Sequence, residues 1–134
     1  MRYPIVIESG DDRRAYGVVV PDLPGCFSAG DTLDEALSNA REAILLHLEG
    51  LLDDNESIPE PSSIEQLRRK REYRNWTWAV VDVDMSQLGG KAARINITLP
   101  RRILRAVDDC AHRRGETRSG FLARAAVHAM QKRA

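Results

Sequence analysis

Residues 94–99 are the feature that most constrains how this chain can fold. Apolar Ile95, Ile97 and Leu99 alternate there with polar Arg94, Asn96 and Thr98. A period of two predicts one short strand with an apolar face and a hydrogen-bonding face. The residues that follow show two amphipathic helical patterns and no second strand, so this strand must find a partner outside its own segment. A second copy of the chain is the economical partner and would give a two-stranded antiparallel ribbon.

The charge of the chain is divided unequally along its length. Residues 1–90 carry 9 Lys and Arg against 17 Asp and Glu, whereas residues 91–134 carry 11 against 3. The overall net charge of zero therefore hides an acidic segment of −8 and a basic segment of +8. A basic segment around a polar strand face is typical of nucleic-acid binding, because a two-stranded ribbon can enter the DNA major groove.

Length and composition limit the class of protein. At 134 residues, 43% hydrophobic and 30% charged, the chain can form one ordinary domain and a small appendage. Cys26 and Cys110 match no metal or redox spacing, so we expect two reduced, partly buried thiols. The short apolar run near the start is typical of a first strand rather than a signal peptide, and no stretch approaches a membrane span of about 20 residues. We expect a soluble, cytoplasmic protein.

The acidic segment predicts a small α+β structure. Two β-branched runs at residues 3–8 and 15–20 flank a turn-rich hexad and indicate an antiparallel hairpin. Residues 26–29 predict a third strand, and residues 76–84 predict a fourth that returns to the same sheet. Both hairpin strands are apolar on both faces, which indicates a sheet covered on at least one side.

A long helix is predicted between the third and fourth strands. Thr32 and Glu35 have the spacing of a capping box, so the helix should begin there. Its predicted buried stripe consists of Leu33, Ala36, Leu37, Ala40, Ile44, Leu48 and Leu51. Residues 53–63 predict a surface connection, residues 64–71 a short helix, and residues 86–91 a hinge to the basic segment.

The basic segment resembles the ribbon-helix-helix repressors of the Arc, MetJ and CopG type. Residues 94–100 supply the strand, residues 101–114 and 118–131 the two predicted helices, and Gly115 and Thr117 the turn and cap between them. The agreement of strand, helices and turn covers nearly all of residues 93–130.

This resemblance implies roles for two groups of residues. The outward strand face, with Arg94, Asn96 and Thr98, would read bases, and these side chains suit guanine, adenine and thymine respectively. The start of the second helix, with Thr117, Arg118 and Ser119, would bind phosphates. Gly120 stands where a capping Glu or Gln is common, which implies a looser helix start. The alternative is that these polar residues are only the solvated face of an edge strand.

The acidic segment resembles HicB-type antitoxins. The resemblance is carried by PDLPGCFSAGDTLDEA at residues 21–36 and NAREA at residues 39–43. It implies a truncated RNase H-like domain at residues 1–85, of β-β-β-α-β order, that binds and silences a HicA-type mRNA-cleaving toxin. A linker at 86–92 would join it to a ribbon-helix-helix domain at 93–134 that dimerises and represses the operon on double-stranded operator DNA. A second contact through the N-terminal domains would give a homotetramer.

Two rival readings stay open at this point. One is a ligand- or metal-responsive ribbon-helix-helix transcription factor without a toxin partner. The other is a residual RNase H-type nuclease, which would need clustered carboxylates to hold divalent ions. Its candidates are Asp22, Asp31, Asp82 and Asp84. We expect no enzyme activity and no cofactor, since these carboxylates have simpler roles at helix starts and on strand faces. His47, His112 and His128 are isolated, so we expect no metal.

Overall fold

The structure, a computed structural model, describes residues 1–90 and 92–131. It divides into two compact units, Arg2–Val83 and the residues from Asp84 onward together with Met1. Lys91, in the predicted linker, and residues 132–134, at the end of the predicted C-terminal domain, lie outside the described residues. In the part of the chain that is described, no helix combines the length and the hydropathy needed to cross a membrane.

The first unit is built on a four-stranded sheet. Its strands are β1 (Arg2–Glu8), β2 (Tyr16–Val19), β3 (Phe27–Gly30) and β4 (Thr77–Asp82). Their spatial order is β3-β2-β1-β4, and every neighbouring pair is antiparallel. All four predicted strands are therefore confirmed, including the return of the fourth to the side of the first. β1 lies in the middle and is buried over five of its seven residues, as its continuous apolar sequence requires.

Helix α1 (Leu33–Asp53) begins where the sequence predicts. The Thr32 hydroxyl accepts a hydrogen bond from the Glu35 backbone N–H at 3.1 Å. The Glu35 carboxylate reaches one residue further back than in a capping box and accepts from the Asp31 N–H at 3.3 Å. Both bonds satisfy backbone donors that have no partner within the helix.

α1 covers one face of the sheet. Gly30 marks the contact, because a Cβ there would lie 2.4 Å from the backbone N of Ala36. Tyr3, Ile5, Ile7 and Val18 share the face of Gly30 by strand register and are at most 4% exposed. The helix residues buried against them are Ala36, Ala40, Ile44 and Leu48.

Leu33, predicted in the same buried stripe, is 44% exposed. The prediction fails there because Leu33 lies one helical turn before the helix meets the sheet at Ala36. Leu37 and Leu51 are only partly exposed, so the rest of the predicted stripe follows the helical period.

The connection after α1 is less superficial than predicted. Ile58 is 4% exposed, and the Pro59 carbonyl accepts a 2.7 Å hydrogen bond from the Tyr3 hydroxyl. Burial, helped by the charges of Asp22 and Glu60, raises the pKa of the Tyr3 phenol, so it stays a donor. The predicted helix at 64–71 is also shorter: α2 is Ile64–Leu67, and a separate single turn follows at Arg71–Tyr73.

The second unit contains two helices and a short turn. The turn at Met85–Gln87 begins at the last residue of the predicted N-terminal domain, runs into the predicted linker and contacts the second helix. Helices α3 (Arg101–Arg113) and α4 (Arg118–Gln131) confirm the two predicted helices almost residue for residue. Gly115 separates them with φ of 67°, and the Glu116 N–H donates back to the Ala111 carbonyl at 2.8 Å, which closes the end of α3 as predicted.

Candidate nucleic-acid interface

The predicted base-reading residues lie on an accessible segment. Residues 92–100 form neither helix nor strand in the single chain, and Arg94, Asn96 and Thr98 are all exposed. Two of the alternating apolar residues are exposed too, Ile95 at 72% and Ile97 at 58%, whereas Leu99 is half-buried. Within the described ranges no strand pairs with this segment, so the ribbon stays a prediction.

The apolar faces of α3 and α4 are only partly covered in one chain. Ile103 is 49% exposed and Met130 is 64% exposed, although both follow the helical apolar period. Among the described residues of the two helices, the buried ones are Ala111 and Gly120. Together with Ile95 and Ile97, these faces form apolar surface that one copy leaves open to water.

The start of α4 brings together the predicted phosphate-binding residues. Thr117, Arg118 and Ser119 are exposed and consecutive, and the Thr117 hydroxyl accepts from the Gly120 N–H at 3.0 Å. Thr117 is therefore the predicted cap of the second helix. Exposed N–H groups at a helix N-terminus favour anions, which fits a phosphate contact.

Arg118 has a partner that the sequence pattern does not reveal. Its Nε and Nη2 atoms each donate a 2.8 Å hydrogen bond to the Asp108 carboxylate on α3. This two-bond pair lowers the pKa of Asp108 and raises the pKa of Arg118. A phosphate that binds Arg118 must therefore share or displace Asp108.

Gly120 was expected to loosen the start of α4, but its lack of a side chain is required by packing. It is buried, and a Cβ there would lie 2.8 Å from the Asp84 Oδ1 atom and 3.1 Å from the Thr117 hydroxyl. Asp84 is itself fixed, because its Oδ1 accepts from both the backbone N–H and the hydroxyl of Ser86. The absence of a side chain lets the turn before α3 approach α4.

Glu116 anchors the turn between α3 and α4. Its side chain is 11% exposed and lies 2.9 Å from Arg124 Nε and 3.1 Å from Arg114 Nε. Burial alone would raise the pKa of Glu116, but the hydrogen bond and charge of Arg124, with the N-terminal ammonium and Arg114, lower it overall. The Arg124 guanidinium also lies 5.1 Å from the centre of the Phe121 ring. Part of the basic charge of this segment therefore holds the turn together.

Three of the four carboxylates considered for a nuclease have separate partners, and the fourth, Asp31, lies exposed just before α1. Asp22 accepts from the N–H and hydroxyl of Ser62 at 2.8 and 2.6 Å, and Asp82 accepts from Arg2 Nε at 3.0 Å. Asp84 holds the Ser86 turn. In residues 1–90 and 92–131, no three His, Cys, Asp or Glu side chains are grouped so as to hold a metal ion.

The two cysteines are free thiols, Cys26 buried and Cys110 half-buried. Burial raises the pKa of the Cys26 thiol, which lowers its thiolate fraction near neutral pH. Neither lies beside the predicted nucleic-acid residues in sequence.

Comparison with known proteins identifies the family. The model for the HicB-like antitoxin of bacterial toxin-antitoxin systems matches residues 3–126. An uncharacterized 14.9 kDa protein of Haemophilus phage HP1 is 48% identical over 130 residues, 96% of each chain. The crystal structure of the Burkholderia pseudomallei antitoxin HicB is 48% identical, with a TM-score of 0.74 over 96% of this chain and 98% of that one. A chain of a HicA3 and HicB3 toxin-antitoxin complex is 30% identical, with a TM-score of 0.52 over 63% of this chain and 99% of that one. The chain thus belongs to the HicB-like antitoxin family.

Proposed function

We propose that this chain binds and neutralises a HicA-type mRNA-cleaving toxin and represses transcription of its own toxin-antitoxin operon. Family membership and the likeness to a chain of a HicA3 and HicB3 complex support the toxin partner. The division of the chain into an acidic and a basic part supports two separate tasks. In this proposal the chain is an inhibitor and a repressor, with no catalytic step and no cofactor of its own.

The acidic N-terminal unit is the proposed toxin-binding part. Its sheet and helix order, β-β-β-α-β, is the basis for proposing a truncated RNase H-like fold that serves here as a binding scaffold. Ribonucleases need basic surfaces to hold RNA. The net charge of −8 on residues 1–90 therefore favours association of this unit with the basic surface of the toxin, where it would compete with RNA.

The repressor part depends on one observation, the open apolar surface of the second unit. Ile95 and Ile97 are more than half exposed, and the apolar faces of α3 and α4 are only partly covered. Water disfavours such a surface, and a second copy would cover it by pairing the two 94–99 segments as a ribbon-helix-helix dimer. A further contact through the N-terminal units would join two dimers into a tetramer.

The ribbon would present Arg94, Asn96 and Thr98 on its polar face. Pairing fixes their spacing, which allows Arg94 to bond a guanine edge and Asn96 an adenine edge in the major groove. Thr117, Arg118 and Ser119 at the start of α4 would bind the flanking phosphates.

An RNA-cleavage assay tests the toxin half of this proposal. The toxin used is the product of a reading frame next to this gene, and RNA survival is measured while the antitoxin concentration is raised. We expect cleavage to stop near equimolar antitoxin and to resume at high salt if charge attraction dominates. Full cleavage in an excess of antitoxin contradicts the proposal.

Binding to duplex DNA from upstream of the gene tests the repressor half. We expect Arg94→Ala to cost about 1–3 kcal/mol on this duplex and much less on a scrambled duplex, since a base contact carries sequence information. Titrations at several salt concentrations separate the two contributions. Equal losses on both duplexes would reassign Arg94 to a backbone contact.

A further inference from the structure

The acidic unit contains one strongly basic stretch. Of the nine Lys and Arg in residues 1–90, five lie within residues 68–74. They are Arg68, Arg69, Lys70, Arg71 and Arg74, and all five are exposed. Such concentration within a unit of opposite net charge indicates a local function for these cations, since solubility of the unit is already provided by its acidic residues.

Four of these cations surround a pocket. Arg68, Lys70, Arg71 and Arg74 line a depression of about 340 Å³ between α2 and β4. That volume lies within the range of about 300–1,000 Å³ that holds small ligands. Among the residues that the structure describes, none of the four forms an ion pair with a carboxylate.

Three aromatic rings and Asn75 form the rest of the pocket wall. Tyr73 contacts Trp76 with ring centres 5.8 Å apart and Trp78 with ring centres 5.9 Å apart, both edge to face. Trp78 is opposite Val6 in β1 and so lies on the sheet face turned away from α1. The three rings are half-buried, so part of each stays accessible beside the cations.

The backbone holds this arrangement in place. Asn75 adopts φ of 73°, a left-handed conformation that Asn tolerates better than most residues. The Trp76 N–H donates to the Tyr73 carbonyl at 3.1 Å, which closes the turn. This turn fixes the backbone between Tyr73 and Trp76, and a fixed backbone lowers the entropic cost of binding.

We propose that this basic aromatic pocket, formed by Arg68, Lys70, Arg71, Tyr73, Arg74, Trp76 and Trp78, binds single-stranded nucleic acid. A base stacks on an exposed ring, and the neighbouring phosphates lie against the guanidinium and ammonium groups. An acidic peptide would satisfy the cations but would leave the rings without a flat partner. The site is separate from the proposed ribbon and does not depend on it.

Tryptophan fluorescence gives a direct readout, because Trp76 and Trp78 are the only two tryptophans of the chain. The full-length protein is titrated with decauridylate RNA, with decathymidylate DNA, with inorganic phosphate and with a decaglutamate peptide. Excess unlabelled duplex DNA is present throughout to occupy the C-terminal basic segment. We expect saturable quenching by RNA, by DNA or by both, and the preferred strand names the ligand.

Variants distinguish binding in the pocket from attraction by the overall positive charge of residues 68–74. We expect Arg71→Ala with Arg74→Ala to weaken binding at least about tenfold, and Trp76→Leu to weaken it about tenfold. Arg69→Ala is the matched control, since Arg69 belongs to the same basic run but does not line the pocket, and it should change affinity less than about twofold. Trp76→Phe keeps a stacking ring and should retain binding if Trp76→Leu misfolds.

The proposal is overturned if neither oligonucleotide gives saturable quenching, or if Arg69→Ala loses as much affinity as the double variant. Decaglutamate binding as tight as RNA or DNA would instead assign the pocket to acidic peptides. Quenching by inorganic phosphate at the same concentration as the oligonucleotides would assign it to simple anions. Failure of this experiment leaves the antitoxin and repressor proposals unaffected, because they rest on other residues.

Discussion

At the scale of single residues, Glu116 is the charge on which the turn between α3 and α4 depends. We expect Glu116→Gln to destabilise the protein by about 1–3 kcal/mol at pH 7, since it weakens two charged hydrogen bonds from Arg124, whose side chain is 14% exposed, and the ion pair with the exposed Arg114. The folded-state pKa of Glu116 is lowered from 4.5, so its contribution is present above that value and is lost as the pH falls through the folded pKa. Thermal unfolding between pH 7 and pH 3 should show the variant and the wild type converging in acid.

Asp109→Asn is the matched control for this measurement. Asp109 lies on α3 in the same unit and is exposed. Its substitution removes the same charge from the same unit and should leave the melting temperature nearly unchanged at pH 7. A difference between Glu116→Gln and wild type that stays constant down to pH 3 would show that the cost is not electrostatic.

Asp108 is expected to restrain the proposed phosphate contact of Arg118. Asp108→Asn removes the carboxylate that holds the guanidinium, so we expect duplex affinity to rise about two- to tenfold and the salt slope to steepen by about 1. Asp109→Asn is the control, because it changes the net charge equally but Asp109 is not hydrogen-bonded to Arg118. Fluorescence anisotropy at three salt concentrations measures the duplex affinity of both variants. Equal gains in affinity would mean that overall charge, rather than release of Arg118, is the cause.

Alternation is a local signal and places Arg94, Asn96 and Thr98 on one face of the predicted strand, whose base-reading role stays a prediction. The ion pairs near the start of α4 carry no such local signal. The Asp108 and Arg118 pair spans ten residues across two helices. Glu116 likewise reaches Arg124 in the next helix. Such pairs depend on how helices pack, which no spacing rule within one element specifies.

At the scale of secondary-structure elements, two glycines give opposite predictions. Gly120→Ala in α4 should destabilise the protein by about 1–3 kcal/mol, because the new Cβ would lie 2.8 Å from a carboxylate oxygen that two Ser86 donors hold in place. Gly50→Ala in α1 should stabilise it by about 0.5–1 kcal/mol, because no atom lies within 4 Å of the added methyl group and alanine favours helix. Chemical denaturation of both variants checks the pair, and a stabilised Gly120→Ala would refute the close approach to Asp84.

Element boundaries were predictable wherever a local signal marks them. Thr32 begins α1, Gly115 and Thr117 separate α3 from α4, and β-branched runs give the strands. The connection at 53–63 was not predictable, because Ile58 is buried and the Pro59 carbonyl is hydrogen-bonded to Tyr3 in a distant strand. Leu33 failed for a similar reason: helical period gives the face of α1, but the position of the sheet decides where burial begins.

At the scale of the whole molecule, the acidic and basic units differ in how completely they bury their apolar residues. The acidic unit closes its core within one chain, with Tyr3, Ile5, Ile44 and Leu48 fully buried. The basic unit does not, since much of its apolar surface is exposed. This difference is why the first sheet could be both predicted and confirmed, whereas the proposed ribbon would require a second copy of the chain.

Ile97→Lys tests that assembly. If two 94–99 segments pair, Ile97 becomes buried and a charge there is strongly unfavourable, so we expect the dimer to dissociate at micromolar concentration and duplex binding to be lost. Leu46→Lys is the control, because Leu46 is also apolar and is 70% exposed but lies on α1 of the other unit. Light scattering should give a smaller particle for Ile97→Lys but not for Leu46→Lys, and the proposed inhibition of the toxin by the N-terminal unit should persist in Ile97→Lys. A wild-type monomer that binds its duplex one-to-one would contradict the ribbon, because Arg94, Asn96 and Thr98 would then have no second strand to order them. An Ile97→Lys variant that still dimerises and binds would contradict it too, because Ile97 would then not be buried between paired strands.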